Sequence, residues 1–346
     1  MPEQQAGSNS PNLSSDEQEQ AAQHSTPQAL VIHEIVREEG EAAMERTAPA
    51  LIWSALAAGL SMGFSFLVQS ILESALPESS WRGLVSSFGY TIGFVFVILG
   101  RQQLFTESTL TAVLPVLTRR DLATLLKTFR LWSIVLVFNL IGTVIFASIL
   151  QIQGVFAPEV GAALAKVAQT PLTGSFGVTV VRGMFAGWLI ALMVWLLPSA
   201  RSARLLTILL ITYTVAVSKL SHVIAGSVEA SYAVMIGSAS VSDYFLVFLV
   251  PTFIGNMIGG ISLVAIVNHA AIAPEITSLP HRTAPDEGAQ RHCAPSPFQA
   301  RSAAFASCRC GRLVISGAIA AWFTIATSEM PPIMLPMNVG TRNTRK

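Results

Sequence analysis

Charge is scarce in this 346-residue sequence: Asp, Glu, Lys and Arg together make 12% of it, against about a quarter in an ordinary soluble chain. The shortage is concentrated between about residues 49 and 268. It excludes a water-exposed globular surface for that stretch and makes it polytopic membrane sequence. A surplus of one sign is missing too. A net charge of +1 supplies no basic field for nucleic acid, so no such partner is expected. Cysteine is absent from the apolar part: Cys293, Cys308 and Cys310 all lie near the C-terminal end. Cys308-x-Cys310 is not a zinc spacing, so neither a metal nor another cofactor is expected. The first 46 residues have no basic stretch followed by an apolar run and do not read as a signal peptide.

What is present is a series of apolar runs, and six spans are expected. They cover about Ala48–Leu72, Trp81–Leu117 with an interruption, Leu131–Leu150, Phe176–Leu197, Leu205–Ile236 with an interruption, and Tyr244–Val267. The interruption in the fifth is Lys219-Leu220-Ser221-His222-Val223-Ile224-Ala225-Gly226-Ser227-Val228-Glu229, and that in the second is Gly100-Arg101-Gln102-Gln103. Polar groups at mid-membrane depth are tolerated where they face protein or a water-filled path, so both spans read as broken helices lining a cavity. The expected fold is therefore all-α, a six-span membrane protein with discontinuous second and fifth helices. Three parts follow: a tail over 1–47 with a short amphipathic helix at Val31–Val36, a channel domain over 48–270, and a disordered tail over 271–346.

Basic residues set the expected orientation. Arg119, Arg120, Lys127 and Arg130 follow the second span and Arg201 and Arg204 the fourth, whereas the other loops are nearly free of them. The positive-inside rule puts those loops, and both termini, in the cytoplasm. The chain also repeats. Gly59-x3-Gly63 recurs as Gly183-x3-Gly187 at an offset of 124, and Asn139-x2-Gly142 as Asn256-x2-Gly259 at 117. At the latter offset Phe105 falls on His222. Two halves of three spans each have opposite senses, so the expected architecture is an inverted 3+3 repeat with its site at the repeat interface.

Candidate pathway residues sit in the breaks. His222 is the one histidine within the expected spans and can hold, donate or release a proton near neutral pH. Thr106 offers a hydroxyl across the repeat axis, and Leu104 and Phe105 form an apolar constriction against hydrated ions. Arg101, Glu107, Lys219 and Glu229 flank the breaks as mouth charges, or as pairs that neutralise each other and hold the broken helices together. The glycines read as close-packing positions and Asn139 and Asn256 as interhelical hydrogen-bonding residues.

Leu104-Phe105-Thr106, His222, Asn139-x2-Gly142 and Gly255-Asn256-x2-Gly259-Gly260 together resemble the formate/nitrite transporter family. The likeness spans about residues 30–272 and is nearest to a bacterial branch whose second break reads like His-Val-Ile-Ala-Gly-Ser-Val-Glu. The resemblance implies an aquaporin-like inner-membrane protein assembled as a homopentamer. It further implies a pore in each protomer for small monovalent anions or their conjugate acids, with proton coupling. It makes Leu104 and Phe105 one constriction, His222 the central histidine, and Tyr90 and Phe94 lining positions of the other constriction. The chain departs from that pattern at Glu107, where a small or neutral residue is usual, and at Gly187, where an asparagine is. Lys166 stands for the lysine expected before the fourth span, at a longer spacing. Three rivals come from the residues alone: a neutral-solute channel, since Glu107 and Glu229 would repel anions; an intramembrane hydrolase using Ser227 and His222; and a membrane protein with no transport role.

Overall fold

The computed structural model describes residues 14–16, 18 and 27–278. The expectations for the three cysteines, the C-terminal tail past residue 278 and most of the tail before residue 27 lie outside the described residues. All regular structure within them is helical. The order is α1 (Ala29–Met44), α2 (Ala48–Ala75), α3 (Arg82–Leu99), α4 (Phe105–Thr111), α5 (Val113–Arg119), α6 (Leu122–Ile149), α7 (Pro158–Val167), α8 (Phe176–Leu196), α9 (Arg204–Val217) and α10 (Ala225–Met235). A final run joins π-wound Asp243–Leu249, α11 (Val250–Met257), π-wound Ile258–Ile266 and α12 (Val267–Ser278).

Five of these helical stretches, α2, α3, α6, α8 and Asp243–Ile272, are long and apolar enough to cross a bilayer. The expected fifth span is split into α9 and α10, of 14 and 11 residues, each too short for a ~30 Å hydrocarbon core. The third expected span starts earlier than its apolar run. Lys127 and Arg130 mask that start in the sequence, but Asp121 caps α6 by accepting from the Thr124 N–H at 2.8 Å, which fixes the helix start nine residues before Leu131.

Glycines bring the crossing helices into backbone contact. A Cβ on Gly59 of α2 would strike the Asn139 carbonyl of α6, and one on Gly187 of α8 would strike the Asn256 carbonyl of α11. Gly142 and Gly259 return those contacts, Gly142 against the Leu56 carbonyl and Gly259 against that of Met184. Gly63 differs: its missing side chain makes room for the Phe146 ring. The structure therefore pairs the role of Gly59 with that of Gly187, an offset of 128, and not with Gly183. A Gly-x3-Gly pattern slid by four residues looks unchanged on a helix, because i and i+4 share a face. The sequence alone therefore could not choose the register.

The first helix is longer than its apolar core. Ile32, Val36, Gly40, Ala43 and Met44 of α1 are buried, on a spacing that makes one helical stripe. Its acidic face reaches the basic residues downstream: Glu39 to Arg101 at 2.9 Å, Glu41 to Arg119 at 2.9 Å, and Glu45 to Lys127. Buried His33 bonds His269 at 3.0 Å, tying α1 to α12. Burial pushes the neighbouring Glu34 carboxyl up, but hydrogen bonds from Arg37 and His33 outweigh it and leave it below its ordinary value.

Candidate functional site

Both broken spans stop on the same backbone motif. At the end of α3 the Gly100 N–H bonds the Phe96 carbonyl at 2.9 Å and the Gln102 N–H bonds that of Val97 at 3.0 Å. At the end of α9, Ser218 bonds Thr214 at 3.2 Å and Leu220 bonds Val215 at 3.0 Å. This is the six-to-one closure of a helix through a left-handed residue. Here the left-handed positions are Arg101 and Lys219, both at φ 51°.

Each break is then held by one asparagine. Asn139 Oδ1 accepts from the Phe105 N–H at 2.9 Å, while its amide donates to the Gln103 carbonyl at 2.9 Å and to Ala55 at 2.7 Å. Asn256 Oδ1 accepts from the Val223 N–H at 2.9 Å, while its amide nitrogen donates to the Ser221 and Gly183 carbonyls, each at 2.9 Å. Unwound backbone in a membrane must have its polar groups satisfied by neighbours, and these two amides supply three bonds apiece. The matched pairs (Arg101 and Lys219, Gln103 and Ser221, Phe105 and Val223) share an offset of 118. His222 thus occupies the position of Leu104 and not that of Phe105.

The breaks meet in the middle. Thr106 Oγ1 lies 2.8 Å from His222 Nε2. His222 Nδ1 accepts the Ala225 N–H at 3.1 Å. A ring nitrogen that accepts carries no hydrogen, so a neutral imidazole here has its hydrogen on Nε2, aimed at Thr106. Phe94 packs against the imidazole edge-on, with ring centroids 5.0 Å apart, and Tyr90 packs on Phe94 at 5.4 Å. Phe105 stacks on Phe253 at 5.5 Å. Leu104, Phe105, Thr106, His222, Phe94 and Tyr90 are all buried, so the six pathway candidates are brought together in the interior.

A cavity adjoins each break. One, about 630 Å³, is lined by Arg46, Arg101, Arg204, Glu39 and Glu107 among others. The other, about 40 Å³, is lined by His222, Tyr90, Lys219, Glu229 and Gln69 among others. The charges flanking the breaks do not pair with each other. Arg101 bonds Glu39 of α1, and Glu107, Lys219 and Glu229 make no ion pair or side-chain hydrogen bond among the described residues. Glu229 is also no rim residue. The stretch Ala225–Ala233 of α10 is buried throughout, which carries Glu229 inside, onto the wall of the smaller cavity. Lys166 is held by Glu73 at 3.0 Å and lies away from both cavities.

Ser227 donates to the Val223 carbonyl at 2.6 Å and accepts from Tyr244 at 3.1 Å. It is thus engaged away from His222, without the contact a Ser/His dyad needs. Sequence reasoning missed Gln69, whose Oε1 is buried with no hydrogen-bond partner, and Phe253. Gln69 had a signal, being the one Gln in the first apolar run; Phe253 had none, since one more aromatic in a span looks like packing. Among the described residues no group of three or more His, Cys, Asp or Glu is placed to hold a metal ion.

Comparison with known proteins agrees with this architecture. The chain is 39% identical over 250 residues to the inner membrane protein YfdC of Escherichia coli (strain K12), covering 72% of this chain and 81% of that one. It is 24% identical over 254 residues to the formate channel BtFdhC of Bacillus thuringiensis, covering 72% and 96%. Among solved structures, a pentameric formate channel with formate bound superposes with a TM-score of 0.55 at 20% identity, over 65% of this chain and 98% of that one. An FNT family ion channel gives 0.57 at 20% identity, over 70% and 96%. Residues 30–270 match the formate/nitrite transporter model, and the chain belongs to that family of membrane transport proteins.

Proposed function

We propose that the protein conducts a small monovalent anion, or its conjugate acid, across the inner membrane. In this reading residues 48–270 form the channel domain as an inverted 3+3 repeat, both termini are cytoplasmic, and the protomers assemble as a pentamer. The observation that carries the reading is the contact between Thr106 and His222 at the junction of two broken helices, with a cavity adjoining each break. An anion drawn in at either mouth, by Arg46, Arg101 and Arg204 or by Lys219, loses its water on reaching the apolar walls of Leu104 and Phe105, which offer nothing in exchange. The Nε2–H of His222 then replaces part of that hydration, as a fixed donor in a dry site does for a negative oxygen. Relatives named as formate channels make formate the first substrate to try.

The experiment is flux into liposomes holding the purified protein. Formate, nitrite, acetate and hydrosulfide are each offered to the wild type, to Thr106→Val and to His222→Ala. Wild-type flux of at least one anion, reduced at least ~10-fold in His222→Ala by loss of a buried donor, is the expected outcome. Passage of none of the four sinks the reading. A neutral-solute conduit is favoured by one observation, the two unpaired carboxyls Glu107 and Glu229; glycerol flux exceeding formate flux would establish it instead.

A further inference from the structure

The carboxyl of Glu229 is out of place for a conduit that only attracts anions. It is 6% exposed, and no hydrogen bond or ion pair reaches it among the described residues. An ionised carboxylate so enclosed costs several kcal/mol unless paired, whereas the neutral acid is readily accommodated. The titratable groups sharing its cavity are Tyr90 from α3 and Lys219 and His222 from the break. The other packed elements bring no charge there: α2 offers Gln69, the turn before α8 offers Thr170, and the π-wound segment offers Phe248. Gln69 Oε1 is itself a buried acceptor with no donor. The cavity, about 40 Å³, has room for at least one water, which needs two to four polar partners to stay. Glu229, Gln69 and His222 supply them.

We propose that Glu229 is the proton-exchanging group of this conduit. The proposal rests on the reading above that an anion reaches His222. An anion that enters on the Lys219 side and is held there takes the proton of the Glu229 carboxyl, directly or through the cavity water. An oxygen–hydrogen bond breaks on Glu229 and one forms on the anion, leaving a carboxylate on α10 and a neutral acid in the pore. The neutral acid crosses Leu104 and Phe105 without the dehydration cost of a charge. The Glu229 carboxylate is reprotonated by a hydronium ion entering on the Lys219 side, and until then it repels a second anion. This narrows the substrate class to anions of weak acids, whose conjugate acid is a stable neutral molecule, because proton exchange between a carboxyl and a substrate of similar acidity is nearly balanced. Anions of strong acids are excluded.

The test uses full-length protein in liposomes loaded with a pH-sensitive dye, with formate and nitrate as probes at external pH 5 to 8. Wild type should move one proton with each formate, faster as pH falls, and should not move nitrate. Glu229→Gln keeps the shape but cannot exchange a proton; it should cut formate flux at least tenfold and flatten its pH dependence, with its unfolding temperature in detergent unchanged. Glu229→Asp should restore part of the flux and the pH dependence. Wild-type flux and pH profile in Glu229→Gln overturn the proposal, as does nitrate passage by the wild type, or a Glu229→Gln protein that unfolds early and is not rescued by Asp. A wild type that moves no anion at all overturns the earlier reading of the conduit itself, a result separate from any of these.

Discussion

The break after α3 and the break after α9 are made of the same backbone parts and open onto unlike spaces. Each ends a helix through a basic residue at φ 51°, each is pinned by three bonds from one asparagine, and each starts a short helix on the far side. Yet the first opens onto a cavity of about 630 Å³ rimmed by arginines, and the second onto one of about 40 Å³ holding an imidazole and a carboxyl. At matched positions the first break carries Leu104 and the second His222. The backbone thus solves a shared problem, satisfying unwound chain in the membrane, and in the proposed reading the side chains divide the labour: the first break strips the solute of water and the second offers it a donor.

The likeness of the two breaks is most sharply tested at the asparagines. Asn139→Leu orphans the Phe105 N–H and the Gln103 carbonyl at the first break, and Asn256→Leu the Val223 N–H and the Ser221 carbonyl at the second. The third acceptor of each, Ala55 or Gly183, lies within a helix and keeps its helix bond. At ~1–3 kcal/mol for each buried group left without its partner, each variant should lose at least about 2 kcal/mol of stability, and the two losses should agree within about 1 kcal/mol. Thermal unfolding in detergent measures both. If one variant is tolerated while the other fails to fold, the two breaks are not held alike.

A smaller effect is expected at the glycines, where the comparison extends to the crossings behind the breaks. Gly59→Ala and Gly187→Ala each push a methyl into a carbonyl of the facing asparagine, which backbone cannot yield to without separating the helices. A cost of about 1–3 kcal/mol is expected for each. Gly63→Ala first meets the Phe146 ring, a side chain and not backbone, and should cost less than either. Equal costs at Gly63 and Gly59 would undo the register that pairs Gly59 with Gly187.

How much of this could be read from the sequence follows from what each feature does to the residue pattern. The breaks were legible because Lys219, Ser221 and His222 interrupt an apolar run that has no other reason to stop, and Thr106 and the asparagines fell out of the same contrast. Register was not, since a helix crossing advances by whole turns and Gly-x3-Gly reads the same after each. Charge pairing was not legible either. Arg101 has Glu107 six residues away but bonds Glu39, 62 residues away, because α1 folds back over the mouth. The depth of Glu229 was hidden for the same reason: an acid near a break looks like a rim residue until α10 is seen to be buried along its first nine residues.

The finest distinction between the breaks lies in their left-handed residues. A side chain at positive φ costs roughly 1–2 kcal/mol relative to glycine, and a cation just past a helix C-terminus returns about 0.3–1 kcal/mol of that through the helix dipole. Lys219 has no ion pair among the described residues, so Lys219→Gly should raise stability by about 0.5–1 kcal/mol. Arg101 has its exposed pair with Glu39, a contact worth about 0–1 kcal/mol, so Arg101→Gly should come out near zero. Unfolding in denaturant at fixed detergent separates the two, and a loss on Lys219→Gly would mean that the lysine is held by something the smaller cavity contains. Retaining a lysine where glycine would be the more stable choice, on the wall of the cavity of His222 and Glu229, fits a residue kept for its charge, since strain of this kind persists where the strained group is used.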